Sequence, residues 1–490
     1  VNYDLTIDLN GHVLTIPKSI CVNSGVHLTI IDSSPSAEHK FTPNADGLWV
    51  LDEINGTETV HGGVITGGTG TQNVHGTAYD GGGVHIAPSG KLTMNGGSIV
   101  GCSASSSGGR GGGVYIGTNY NPTDPKSGEF IMNGGSIIGC TAGFGGGVAV
   151  DPLGKFTMNP GSEIRSCTAQ YSGGGGVHIN SMVVDGPGKF ILAGGTIRAC
   201  KAVASMYGRG GGVYNSGEFV MEVGTIQGCS ASCDNNASGG VLNEARCPFT
   251  MSGGSIEDNV ENSGTMYADG GGITGNVTNG TNSGWGKITG NNGATGETSF
   301  EGPVTNSSSG TIEKGIFNGE VINNGTITGG KFNGGVTGSG TISREREVSN
   351  DADFLAALAD SNVTTIKLKS GITVNATENV KELTIDRPIT LVNSSRAPLH
   401  LNLPLTIAKD GALTLDGLKD VVSLNPYKGM VVNGSLTVGA GCGVLFEGEN
   451  ASLVINEGGT VTTQPAGENT ISGQLSLGKN AALTVDGALV

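Results

Sequence analysis

One offset constrains this chain more than any other feature: an isoleucine followed three residues later by a cysteine, at Ile99/Cys102, Ile137/Cys140, Ile164/Cys167, Ile197/Cys200 and Ile226/Cys229, with Ile256/Asn259 as a sixth copy. It sits inside a larger unit that repeats from about residue 81 to residue 275. Each unit opens on a glycine cluster and an apolar residue, at Val84, Val114, Val148, Val177, Val213, Val241 and Ile273. An apolar-x-apolar piece follows, at Leu92/Met94, Phe130/Met132, Phe156/Met158, Phe190/Leu192, Phe219/Met221 and Phe249/Met251. The third piece begins at the isoleucines. Short pieces that alternate apolar with small or polar residues are strand signals, and no helical period competes with them. A unit repeated in this way stacks into a solenoid, because a single copy cannot bury its own apolar face. The chain is therefore expected to be all-β: a right-handed parallel β-helix with three strands per rung, rungs about 4.8 Å apart, and equivalent residues aligned in columns.

The 89 glycines have no collagen-like period, so they mark bends between strands. Upstream, Leu5 to His12 and Val26 to Ser34 read as shorter rungs, interrupted by a less regular stretch from about 35 to 60. Downstream, from about 300 to 343, shrinking pieces point to a narrower coil, while Thr118–Ser127 and Val203–Arg209 read as loops leaving its corners. At Asp351 the pattern changes: Phe354, Leu355 and Leu358 share a helical face, with acidic residues at the N-terminus where the helix dipole favours them. A short helix near 351–360 suits a solenoid end that must cover its core and block edge pairing. Strand-like alternation then resumes. These features divide the chain into a first coil, 1–343, and a second β-helical segment, 344–490, opened by a capping helix.

A formal charge of −16 and the lack of any block of Lys or Arg exclude nucleic acid and acidic membrane surfaces as partners, since both would be repelled. No run of about 18 apolar residues could span a bilayer within this chain. Val1 opens directly on strand-like sequence, so the chain reads as a mature segment with any export signal and anchor outside it.

The Gly-Gly-Gly-Val-Tyr and Met-Asn-Gly-Gly-Ser-Ile units, with the opening Asp-Leu-Asn-Gly-His-Val-Leu-Thr, resemble secreted and surface β-helix proteins of Gram-positive gut bacteria. They are more distantly similar to the polymorphic outer-membrane protein repeats of chlamydiae. The resemblance implies a pectate-lyase-like coil, export, surface display and an adhesive or glycan-related role. It carries over no catalytic residue, and this chain places cysteine where those repeats usually have asparagine.

Two columns invite a chemical reading. Each cysteine is followed two residues later by alanine, at Ala104, Ala142, Ala169, Ala202 and Ala231, so both face inward and Cys102, Cys140, Cys167, Cys200 and Cys229 form a buried packing ladder of inert thiols. Stacked Cβ atoms are too far apart for easy disulfides, and Cys233 and Cys247, outside the ladder, are the better candidates for a bridge. The second column, His85, Tyr115, His178 and Tyr214, turns outward beside residues that precede the glycine clusters: Tyr79, Asp80, Arg110, Tyr171, Tyr207, Arg209, Tyr267 and Asp269. With only 5% aromatic residues in the chain, this concentration would form a strip suited to the apolar faces and polar rims of sugars. The expected role is an extracellular adhesin binding glycans or a host or cell-surface glycoprotein, without cofactor or metal. Asp80, Glu257, Asp258 and Asp269 keep a polysaccharide lyase or glycoside hydrolase as an alternative, and a structural stalk is a third. Neither Gly67–Gly70 nor Gly111–Gly113 opens a helix, which excludes a phosphate loop, and Asn44–Gly47 is too short for a calcium loop.

Overall fold

The structure is a computed structural model. It describes all residues except 73–78, 105–106, 120–122, 183–185, 205–207, 234–237, 282–283, 292–293, 343–344, 361–362, 379, 394–397, 417–422, 440–441, 446–451, 464–469, 473 and 486–490. The chain forms two compact units, Val1–Thr341 and Ile342–Val490. Each is a parallel β-helix of three strand columns.

In the first unit the repeated pieces align residue for residue. Val84, Val114, Val148, Val177, Val213 and Val241 pair in parallel along a 12-stranded sheet, the first face. The second pieces stack Leu92 on Phe130, then Phe156, Phe190, Phe219 and Phe249. The third stack the isoleucines from Ile99 to Ile256. All these apolar residues point inward and are fully buried. Neighbouring phenylalanine rings lie almost parallel, with centroids 4.7–5.2 Å apart, so the rung spacing itself sets their offset stacking.

The early rungs belong to the same coil. Leu5–Asp8 lies on His27–Ile31, which lies on Lys91–Met94, and Val13–Thr15 pairs with Val64–Thr66. The irregular stretch between them is a three-stranded antiparallel sheet, Glu38–Pro43, Trp49–Leu51 and Glu58–His61. Its Phe41, Trp49 and Val60 pack on Val64, Val100 and Ile138, which project outward from the third face. Downstream, rungs shorten, but Val304, Val321 and Val336 continue the first face and Ile312 and Ile327 the second.

One expectation is corrected here. Ile273 does not continue the Val84 column; it pairs with Ile256 and Phe300 on the third face, and Val260 and Val277 follow Val241 instead. The reason is that Thr265–Ile273 is one strand running through Gly270–Gly272, the counterpart of Pro248–Ile256 beside it, so this glycine cluster is a shallow bend and not a corner.

The second unit opens with Glu345–Val348 and the helix Asp351–Ala359. Asn350 caps it, accepting from the Asp353 amide at 2.8 Å. Phe354 and Ala357 are buried in the same core as Val348 and Ile366, with Leu355 and Leu358 partly buried against it. Together with Glu345–Val348, the strands from Thr365–Leu368 to Ala482–Val485 form sheets of seven, five and five strands over an interior mainly of leucine, isoleucine and valine.

Candidate functional site

The outward column and the glycine corner meet, but the rings lie beneath the surface. Tyr115 and His178 are buried and Tyr214 is half-buried. The glycine turns cover them: Gly111, Gly174 and Gly210 have φ of 66°, 78° and 62°, and an added Cβ would stand within 3 Å of Tyr115, His178 or Tyr214 backbone or Cβ atoms. His178 stacks on Tyr214 at 4.8 Å, and His85 meets Tyr115 edge-on at 5.0 Å. The polar tips of Tyr115, Tyr214 and His178 are satisfied internally, whereas His85 Nδ1 is buried without a hydrogen-bond partner. Tyr115 donates to Asp151 Oδ2 at 2.6 Å, Tyr214 to Glu244 Oε1 at 2.8 Å, and His178 Nδ1 to the Gly173 carbonyl at 3.1 Å. Burial pulls His178 down to about 4, so it is neutral and carries its proton on Nδ1.

What reaches solvent at this corner is the set of residues just before the glycines. Tyr79 and Tyr171 are exposed, Tyr171 touching Phe144 at 5.5 Å, and Arg110 bridges Phe144 along the column. Arg110 donates twice to buried Asp151, at 2.8 and 3.0 Å, while its amide donates to Asp80 at 2.9 Å. Burial, opposed by Arg110, pushes Asp80 up to about 6. Arg209 lies 3.9 Å from Glu261. Tyr207 lies outside the described residues, as do parts of the loops 118–127 and 203–209. Tyr267 and Asp269 are not on this corner: Tyr267 pairs with Thr250 on the second face, and Asp269 accepts from Lys314 at 3.0 Å and from the Asn291 side chain at 2.7 Å.

The five ladder cysteines are buried free thiols, each donating to a carbonyl two residues back. A Cβ on Gly147 would stand 2.8 Å from Ile164 Cγ2 and 3.5 Å from Cys167 Sγ, and Gly113, Gly176 and Gly212 repeat this contact. The glycine cluster and the Ile-x-x-Cys offset therefore recur together because they press against each other inside each rung. Burial holds Cys167 and Cys200 well above the usual thiol range. The expected Cys233–Cys247 bridge does not form. Cys247 is a free thiol, pushed up to about 11 by burial and by Glu244.

Asp80, Asp258 and Asp269 are each engaged by the fold. Asp258 accepts from the Gly228 and Cys229 amides at 2.9 and 2.8 Å, pinning a turn five rungs from Asp80. At about 4.8 Å per rung that is roughly 20 Å or more, against about 5–10 Å for a glycosidic acid pair.

Two features escaped the sequence reading. Asn215, Asn243, Asn262, Asn279, Asn306 and Asn323 form a buried ladder, each Nδ2 donating to the next Oδ1 at 2.7–2.8 Å. Its signal was present as Val-x-Asn at every first-face strand from Val213 to Val321. The antiparallel insertion also bounds a cleft of about 340 Å³ against the rungs carrying Arg165 and Arg198. Among the described residues no His, Cys, Asp or Glu cluster could hold a metal ion, and no helix is long and apolar enough to cross a membrane.

A family model described as a putative pectate lyase-like adhesive domain matches residues 345–445, the helix and most of the second coil. No curated protein and no solved structure matches the chain.

Proposed function

We propose that this protein is a non-catalytic adhesin, displayed outside the cell, that holds glycans or glycoproteins of a host or neighbouring cell surface. The observation that carries this reading is the match of the second coil to an adhesive domain. The chemistry of the first coil agrees with it, because Asp80, Asp258 and Asp269 each fix backbone or pair with a cation. On that coil the ligand would contact the exposed margin of the corner, Tyr79 and Tyr171 beside Arg110, with the covered rings acting as its rigid support.

The test is retention of glycans or mucin by the full chain, with the same fractions assayed for released reducing ends and unsaturated sugars. Retention without product is the expected result, and turnover of any polysaccharide overturns it. Tyr79→Ala together with Tyr171→Ala should weaken retention by about 1–3 kcal/mol, the range for truncating interface anchors, with thermal unfolding unchanged. Equal retention by this variant would remove the ligand from the corner.

A further inference from the structure

Every rung of the cysteine ladder carries a left-handed residue just before its cysteine: Gly101 (φ 59°), Gly139 (56°), Ser166 (55°), Ala199 (53°) and Gly228 (65°). The antiparallel insertion explains the first two. A Cβ on Gly101 would stand 1.7 Å from the Trp49 carbonyl, and one on Gly139 would stand 2.1 Å from the Trp49 ring. Trp49 also donates its amide to the Gly139 carbonyl at 3.0 Å. On the next two rungs the same position carries side chains, Ser166 and Ala199, in a conformation that costs about 1–2 kcal/mol for a residue with a Cβ. There the cleft of about 340 Å³ opens, between the insertion and the outside of the coil.

Its walls are cationic in an acidic protein. Arg165 lies over Trp49, its guanidinium carbon 4.7 Å from the ring centre, and its side chain is only 13% exposed. Its Nε, 3.1 Å from Glu163 Oε2, makes no hydrogen bond there and is a buried donor without an acceptor. Glu163 is shared, because Arg198 Nε donates to its other oxygen at 2.5 Å. Exposed Lys201 completes the lining with the hydroxyls of Ser166 and Thr168. Three cations against Glu58 and Glu163 leave a formal excess of one positive charge, 3 minus 2. Burial pulls the Arg165 guanidinium down from its ordinary value and neighbouring Arg198 adds to this, and a bound anion would favour its charged form.

We propose that this cleft binds one acidic sugar residue, a pyranose carrying a single carboxylate or sulfate, with the anion held by Arg165, Arg198 and Lys201 and the ring hydroxyls met by Ser166 and Thr168. A single excess charge fits a monoanion better than a phosphate dianion. The volume lies at the small end of the roughly 300–1,000 Å³ of small-molecule sites, the size of a sugar unit rather than a chain. The site is separate from the tyrosine corner and stands or falls independently of it.

The experiment is calorimetric titration of the full chain with glucuronate, galactose 6-sulfate, neutral galactose and inorganic phosphate. At least one monoanionic sugar should bind about tenfold or more tightly than galactose and phosphate, and its affinity should fall as salt rises. Which of the two binds better tells carboxylate from sulfate. Arg198→Gln with Lys201→Gln, both at the surface, should weaken that sugar about tenfold or more, while Tyr79→Ala with Tyr171→Ala leaves it unchanged. Arg165→Met, which keeps the packing on Trp49, should act the same way, with hydrogen-exchange protection of residues 38–61 reporting that the insertion stays docked. Galactose or phosphate binding as tightly as the acidic sugars overturns the proposal, as does parental affinity in the Arg198/Lys201 variant.

Discussion

The interior of the first coil is built from residues that meet their own kind, whereas that of the second is mainly leucine, isoleucine and valine, with Asn393, Asn425 and Thr463 buried among them. In the first, phenylalanine stacks on phenylalanine, cysteine on cysteine and asparagine on asparagine. In the second, leucine, isoleucine and valine exchange freely within a column, and among the described residues the one core phenylalanine, Phe354, comes from the helix. The outward surface of the second coil is the more regular: Thr365, Thr390, Thr414, Thr437, Thr462 and Thr484 lie in one line. A two-residue slip of one strand along its neighbour in the first coil would mismatch ring stacks and orphan amides. In the second it would cost little inside. Stacked polar and aromatic ladders thus set the register of the first coil, and the second relies on bends and its cap.

The largest effect should come from the phenylalanine stack. Phe190 lies between Phe156 and Phe219, at 4.9 and 5.2 Å, and Phe190→Ala should cost about 3–5 kcal/mol. The conservative swap sharpens the contrast. Phe190→Leu loses both stacks, each worth about 0.5–1.5 kcal/mol beyond area, while Leu413→Met in the second coil should stay below about 1.5 kcal/mol. Hydrogen exchange in Lys189–Leu192 and Ala412–Asp416 reads the two locally, and equal costs for the two swaps would erase the distinction. Next is Asn262→Ala. It strips Asn279 Oδ1 and the Lys287 carbonyl of their donor and leaves Asn243 without its ladder acceptor, for about 2–4 kcal/mol. Thr414→Ala, on the outside of the second coil, should change stability by less than about 0.5 kcal/mol.

The coils should also differ in their response to acid. His178 falls to about 4 in the folded protein, so its contribution is fully present above its unfolded value near 6.5 and is lost as pH falls through 4. Asp80 rises to about 6, so its contribution is present below its unfolded value near 3.8 and is lost as pH rises through 6. Between pH 4 and 6 the two slopes oppose, each amounting to about 2–3 kcal/mol at most. His178→Gln should therefore make the first coil more stable toward pH 4 than at pH 6.5, and Asp80→Asn should make it more acid-sensitive than the parent. In the second coil, Glu347 is exposed, and Lys367 and Lys369 hold its carboxyl below the ordinary carboxylate range. Denaturation followed at several pH values checks the pair, and the same pH slope in both variants would mean that neither group controls it.

How much was legible follows from the same contrast. The strand columns of the first coil could be read because inward residues recur with fixed identity, and the Ile-x-x-Cys offset survived every loop insertion. Ile273 was misplaced because Asp-Gly-Gly-Gly-Ile imitates the corner sequence, and only pairing with Ile256 reveals a bend within a strand. Tyr79 and Tyr171 reach the surface at the corner beside Arg110, yet alternation says only that Tyr115 and His178 point away from the core. It does not say that a glycine turn folds back over them. The Trp49 cleft had no sequence signature, because it joins residues more than a hundred positions apart across an insertion that breaks the repeat.

A local effect is expected at the end of the second coil, where a helix does what a further rung would do. Its first amides are served by Asn350, and its last carbonyls by a residue from the next rung: Arg387 Nη2 donates to Leu358 and Asp360 carbonyls at 2.8 and 2.7 Å. With no basic residue in its own last turn, the helix depends on Arg387 for both hydrogen bonds and charge. Asn350→Ala should cost about 1 kcal/mol, as loss of an N-cap usually does, and Asn350→Asp should restore it. In a solenoid each rung contacts only its neighbours, so the damage should decay along the coil. Exchange should quicken in Asp351–Ala359 and Glu345–Val348 and remain at parental rates by Ser452–Ile455. If Asn350→Ala or Arg387→Ala instead loosens every rung alike, the cap is holding the register of the whole coil. The second coil would then be specified from its end as firmly as the first is from within.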